Sequence, residues 1–245
     1  MPDIGKTSQN LIRNRKPMKF YRLTLDTDNG IQAVTDLPPA ELIKKDLYTP
    51  YKGSEIDCIR LDLDKGKRKT SFLQMGDLTL HGFPAQSQVV DLIRNFNLEK
   101  VQFVKITDPK LTHYQLVFFN SDLTPKLDYT MSDLIFIKDF LGDIEELDIK
   151  VPKNRRGAIK TYLKFAYESS FHKMVPKNGY HFIPGFDVNK LDIFRIGHFD
   201  TSFYVSETVK NVLEEAKVTG VNFRESDLFN RTAPLLERKK SWWPF

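Results

Sequence analysis

The clearest signal along the chain is a strict alternation. Beginning at Met18, the residues Phe20, Arg22, Thr24 and Asp26 alternate with Tyr21, Leu23 and Leu25, the period of two that marks a half-buried strand. The folded body is therefore expected to start here. Residues 56–63 alternate in the same way, and Leu78, Leu80 and Phe83 suggest a short extended piece ending at Gly82-Phe83-Pro84. Residues 101–107 and 113–119 read as strands divided by an Asp-Pro turn, with shorter strands at 192–196, 202–205 and 221–224. Helical spacing takes over in four places. Pro38-Pro39 opens a short helix to Lys45, proline being suited to a first helical turn. Residues 87–96 carry Val89, Val90, Leu92, Ile93 and Phe96 on one side, residues 155–172 carry Ile159, Tyr162, Leu163 and Ala166, and residues 207–217 form the last. Residues 120–150 mix short strand signals with acids, and 176–184 read as loop.

These elements predict an α+β fold, with mostly antiparallel or mixed sheets and a few packed helices. Residues 1–17 lack periodicity and read as a flexible leader. The body spans 18–230, either whole or as subdomains 18–150 and 151–230, and 231–245 form a basic, aromatic tail. That tail ends Trp242-Trp243-Pro244-Phe245, and its indoles are expected to dock on the body. One internal similarity stands out. Ser87 to Val104 and Ser206 to Arg224 both read serine, helix, turn, strand. Val90, Ile93, Val101 and Phe103 match Val209, Val212, Val221 and Phe223 at offsets of 119 to 120, with one residue of slippage. Two related helix–strand units are predicted, too few for a solenoid.

Charge changes the picture once it is divided along the chain. The net charge is +5, but residues 1–20 carry +4 and residues 231–245 carry +3. Residues 150–177 hold eight basic groups against Glu168, a local +7, which leaves −9 on the rest of the body. A non-specific nucleic-acid binder shows a basic stripe on its folded domain, and only residues 150–177 offer one. There Lys160 and Lys164 fall one turn apart, as on the solvent face of an amphipathic helix. Nucleic acid is thereby demoted as a partner. No run approaches the length of a membrane span, and the basic N-terminus has no apolar stretch behind it, so no membrane partner is expected and the cytoplasm is the default location.

Candidate chemistry is sparse. Cys58 is the single cysteine, too few for an internal disulfide or a multi-cysteine zinc site, and the histidines at 81, 113, 172, 181 and 198 form no metal signature. No phosphate-binding loop, nucleophile elbow or dinucleotide fingerprint is present. No catalytic residue, cofactor or metal site is assigned. His198-Phe199-Asp200 places two polar groups on one face of an extended segment, a pattern equally expected of a turn before a strand. The densest carboxylate group is Asp139, Asp143, Glu145, Glu146 and Asp148, five acids in ten residues. It lacks the spacing of a calcium loop. Clustered charge of one sign steers an oppositely charged partner and speeds its encounter, so these five residues are the candidate partner-binding site, with Phe136, Phe140 and Leu141 as flanking apolar anchors.

Several segments together carry a family resemblance. They are Phe20-Tyr21-Arg22-Leu23, residues 89–106, Tyr114-Gln115-Leu116-Val117 leading to Leu127-Asp128, and Ile193-Phe194-Arg195-Ile196. Phe203-Tyr204-Val205-Ser206-Glu207 and Thr219-Gly220-Val221-Asn222-Phe223 complete the set. In this order, over roughly residues 18–226, the chain resembles the eleventh class of bacterial polymorphic-toxin immunity proteins, formerly a domain of unknown function. The resemblance implies a non-enzymatic protein that binds and neutralises a cognate toxin, and the first reading is accordingly an inhibitor that works by steric occlusion and takes no cofactor. It carries over no binding residue. An acidic body suits a basic toxin. Two other readings stand beside it: an enzyme of unrecognised type using groups such as His198 and Asp200, and a nucleic-acid-binding protein using residues 150–177.

Overall fold

The computed structural model describes residues 18–25, 32–35, 58–59, 61–63, 70–75, 82–140, 143–165 and 172–229. The expected leader, the helix at 38–45 and the aromatic tail lie outside the described residues. The fold is α+β with mostly antiparallel sheets, as the alternations predict. Its strands are β1 (Phe20–Leu25), β2 (Gln32–Thr35), β3 (Cys58–Ile59), β4 (Leu61–Leu63), β5 (Gln74–Met75), β6 (Gly82–Gln86), β7 (Val101–Ile106), β8 (Tyr114–Phe119), β9 (Leu134–Phe140), β10 (Asp143–Glu146), β11 (His172–Pro176), β12 (Ile193–Gly197), β13 (Asp200–Ser206) and β14 (Val221–Ser226). The helices are α1 (Ser87–Ile93), α2 (Tyr129–Ser132), α3 (Arg155–Phe165) and α4 (Glu207–Glu215). Among these, the sheets run β12-β13-β1-β14, β3-β7-β8-β6, β10-β9-β11 and β4-β2-β5. Among the described strands, β2–β5 and β3–β7 pair in parallel and the other pairs are antiparallel.

The internal similarity is a repeated split β-α-β unit. In the first copy β6, α1 and β7 follow one another and β8 is inserted antiparallel between the two strands. In the second, β13, α4 and β14 do the same and β1 is inserted. The registers agree residue for residue. Tyr114 stands opposite Gln86 and Phe119 opposite Val101, while Phe20 stands opposite Ser206 and Leu25 opposite Val221. The inserted strand follows its unit in the first copy and precedes it in the second. The offset is a constant 120, so the one-residue slippage read from the sequence is corrected. Val89, not Val90, is the counterpart of Val209, and Ile93 pairs with Leu213; all four are buried. The helix starts differ. Ser206 caps α4 by accepting the Val209 N–H, whereas α1 has Gln86 at that place with no side-chain cap. Ser87 instead donates to the His113 carbonyl at 3.1 Å.

Both copies contribute to one core, which joins Phe83, Val89, Val90, Ile93, Val117 and Phe119 to Tyr21, Leu23, Phe203, Val205, Val209 and Leu213. A second core gathers Phe20, Phe194, Ile196 and Tyr204 with Leu134, Phe136, Ala158, Tyr162 and Met174. The alternation of β1 and β13 sends Tyr21, Leu23, Phe203 and Val205 to the first core and Phe20 and Tyr204 to the second. Their sheet is the shared wall, and β1 is buried on both faces at its start rather than half-buried.

Several expected elements need correction. The strand at 56–63 is two short strands in different sheets, β3 beside β7 and β4 beside β2. Leu78 and Leu80 of the extended piece expected to end at Pro84 lie outside the described residues, and its described part is the strand β6, which runs through that proline to Gln86. Proline has no N–H to give a ladder, and its carbonyl accepts from Leu73 N at 2.9 Å. Strands β2 and β11 carry no clear sequence signal. The described helix near 155–172 ends at Phe165, buries Ala158 and Tyr162, and gives way by His172 to β11.

Candidate functional site

The five candidate acids sit on the β9–β10 hairpin and just beyond it. In the ladder, Asp143 pairs with Phe140, Ile144 with Asp139, Glu145 with Lys138 and Glu146 with Ile137. Because successive residues of a strand face opposite sides, Asp139 and Glu146 belong to one face and Glu145 to the other. Asp148 follows the strand. The acids are therefore close in sequence but do not form one patch.

The adjoining strand and its continuation neutralise part of the group. Lys173 Nζ lies 2.6 Å from Asp139, whose side chain is 21% exposed, and Lys177 Nζ lies 3.5 Å from Glu146. Glu145 and Asp148 are exposed, and among the described residues neither has a cation within ion-pair distance. The side chains of Asp143 and Phe140, and Leu141 altogether, lie outside the described residues. Phe136 is not an available anchor: it is wholly buried in the second core, against the Phe165 ring at 6.0 Å. The described large hydrophobic side chains that do reach solvent are Met131 and Ile183, 55% and 37% exposed. The segments bearing them adjoin, since His181 N donates to Ser132 Oγ at 2.9 Å and Ile183 N to the Lys126 carbonyl at 2.9 Å. The two residues are far apart in the sequence, and Ile183 follows Tyr180 and Phe182, which pack in the second core, so the pattern could not single them out.

The basic segment divides in the same manner. Lys153 pairs with Asp133 and Arg155 with Asp122, and Lys173 and Lys177 hold the two acids already named. The remaining cations, Lys150, Arg156, Lys160 and Lys164, are exposed and have no carboxylate within ion-pair distance among the described residues. Lys150, Lys160 and Lys164 line an open groove of about 430 Å³ together with Asp148, Ile149, Thr161 and Phe165.

His198 and Asp200 face different partners. Both flank the turn between β12 and β13. His198 Nε2 lies 3.7 Å from Asp122 Oδ2, with the imidazole 8% exposed. Asp122 also accepts from Arg155 Nη2 at 2.9 Å and from the Thr124 N–H at 3.0 Å. Burial alone would raise the Asp122 pKa, but the adjacent His198 imidazole and the hydrogen bonds from Thr124 outweigh it and hold the carboxyl at about 2. Asp200 accepts from the Tyr180 and Tyr204 hydroxyls at 2.8 and 2.7 Å, and burial pushes both phenols well above their ordinary range. Arg195 is 2% exposed. Burial lowers its pKa to about 10 against the opposing pull of Asp200 and Asp122, so it remains a cation at neutral pH. Each acid thus ties separate segments of the chain together: Asp122 joins the loop after β8 to α3, and Asp200 joins β13 to Tyr180.

Among the described residues no three metal-ligating side chains converge, and no helix is long and apolar enough to cross a membrane. No family model matches the chain, and no curated protein matches it.

Proposed function

We propose that this chain is an immunity-type inhibitor that binds a cognate protein toxin of basic character and neutralises it by covering its working surface. The observation that carries this reading is the outer strand β10. Among the described residues it pairs on one side only, and it presents Glu145, with Asp148 just beyond, as exposed carboxylates with no described cation within ion-pair distance. An outer strand offers backbone donors and acceptors to an incoming chain. Carboxylates beside it attract a basic surface and disfavour an acidic one. The resemblance set out above supports the same reading, and its segments at 20–23, 193–196, 203–207 and 219–223 fall together in the sheet β12-β13-β1-β14. The inhibitor needs no turnover and no cofactor, because occlusion persists for as long as the complex does.

The test begins with the tagged chain recovered from the cells that make it. The protein that co-purifies is identified and expressed alone, and growth is scored with and without the chain. Growth arrest relieved by the chain supports the reading. A partner that is harmless alone, or one whose toxicity the chain leaves untouched, contradicts it.

A further inference from the structure

The exposed cations of α3 fall into a line. Arg156, Lys160 and Lys164 recur every four residues, so they share one helical face and rise about 6 Å per step. Ala158 and Tyr162, on the opposite face, are buried and hold the helix against the second core. Lys150 adds a fourth cation across the groove, and Thr161 contributes a hydroxyl to its wall. We propose that this face is a docking surface for the phosphate backbone of a nucleic-acid strand, opposite in charge to the acidic outer strand β10 and meeting it at Asp148.

Three features favour phosphate over an acidic protein. First, the charges are regular and linear. About 12 Å of helix carries three of them, and a nucleic-acid strand places a phosphate every 3.4 Å or so along its axis. Secondly, the apolar residues in the groove wall, Ile149 and Phe165, are both partly buried and pack against the second core. Phe165 is partly buried under the Lys164 ammonium, 4.7 Å from its ring centroid, and the exposed hydrophobic residues Met131 and Ile183 lie elsewhere. Protein interfaces depend on such anchors, while backbone contacts to phosphate do not. Thirdly, the groove's cations are lysines, which meet phosphate as point charges without the planar fork that ties arginine to one bidentate geometry. Asp148 is the single carboxylate in the groove wall, opposed by three ammonium groups.

The test uses the full chain and fluorescein-labelled 20-nucleotide single strands of DNA and of RNA, read by anisotropy at 50 and 200 mM salt. The triple variant Arg156→Glu/Lys160→Glu/Lys164→Glu is compared with Lys105→Glu/Lys126→Glu/Lys190→Glu, which changes net charge equally at exposed sites elsewhere. The milder Lys160→Gln/Lys164→Gln variant guards against a folding defect, and melting curves accompany all three. The helix variant is expected to lose tenfold or more in affinity at 50 mM salt and to flatten the log–log salt dependence by about two. The control should lose no more than threefold, and the Gln variant should fall between them. DNA and RNA binding alike shows that the shared backbone is read, and a preference for one identifies the sugar as a further contact. Equal losses in the helix and control variants overturn the proposal. So does the absence of wild-type binding at 50 mM salt, or polyglutamate binding as tightly as the strands.

Discussion

The rings of Phe83 and Phe203 meet edge to face, with centroids 5.1 Å apart and planes at 86°. Each is the equivalent residue of its own split β-α-β unit, separated by the constant offset of 120, so the two copies touch through the same side chain. Phe119, on the strand inserted in the first copy, completes the cluster at 4.9 Å from Phe203. A shared core of this kind makes each unit part of the other's interior, and neither can bury its apolar face alone. Truncating either phenylalanine to alanine should cost about 3–5 kcal/mol, as for other buried aromatics. The double variant should fall short of additivity by about 0.5–1.5 kcal/mol, the worth of an aromatic pair. Urea unfolding of the four proteins checks this, and strict additivity would mean that the two rings do not communicate.

The repeat also extends to backbone conformation. Lys100 and Gly220 occupy equivalent places one residue before β7 and β14, and both have positive φ, 50° and 83°. Glycine enters that region freely, and a side chain does so at a cost. Lys100 is exposed, so Lys100→Gly should stabilise the protein by about 0.5–1 kcal/mol. At Gly220 an added Cβ would lie 2.5 Å from the Phe72 carbonyl oxygen and 2.5 Å from Thr70 Oγ1. Gly220→Ala should therefore destabilise by about 2 kcal/mol or more. Thermal melts of the two variants should move in opposite directions.

Acid should loosen the joint around Asp122. Its carboxyl is held at about 2 in the folded chain, against about 3.9 for an unfolded aspartate. A depressed pKa stabilises the fold above the unfolded value and loses that contribution as pH falls toward the folded one. Between pH 5 and pH 2 the wild type should lose roughly 1–2 kcal/mol more than Asp122→Asn, allowing for partial solvent screening. Urea titrations at a series of pH values test the difference, since every other carboxylate is common to both proteins. Parallel pH profiles would remove Asp122 from the acid response.

What the sequence could and could not reveal follows from the range of each interaction. The alternation of β1 was plain because each face repeats within six residues. That both of its faces are buried depended on Phe194 and Tyr204, far away in the chain. The repeat was legible in Val101-x-Phe103 and Val221-x-Phe223. Its register slipped because Val89 and Val90 are adjacent and both apolar, so helical spacing alone chose wrongly between them. Strand β11 was missed because its buried positions, Met174 and Pro176, are too few to establish a period of two. That miss also concealed the fate of the acids: Lys173 on the strand and Lys177 just past it take Asp139 and Glu146 out of the free charge. Local sequence showed five carboxylates, and only the pairing of distant strands separated the engaged from the exposed.

The most direct measurement is the association rate of the chain with its co-purified toxin at 50 and 300 mM salt, for the wild type and for Glu145→Lys/Asp148→Lys. Both side chains are exposed, so the variant should fold as the wild type does. Steering by these carboxylates predicts that the variant associates at least fivefold more slowly at 50 mM salt. It also predicts that the gap closes at 300 mM, where screening shortens the reach of charge. Identical association rates at the lower salt, with the complex still formed, would contradict a docking surface centred on β10.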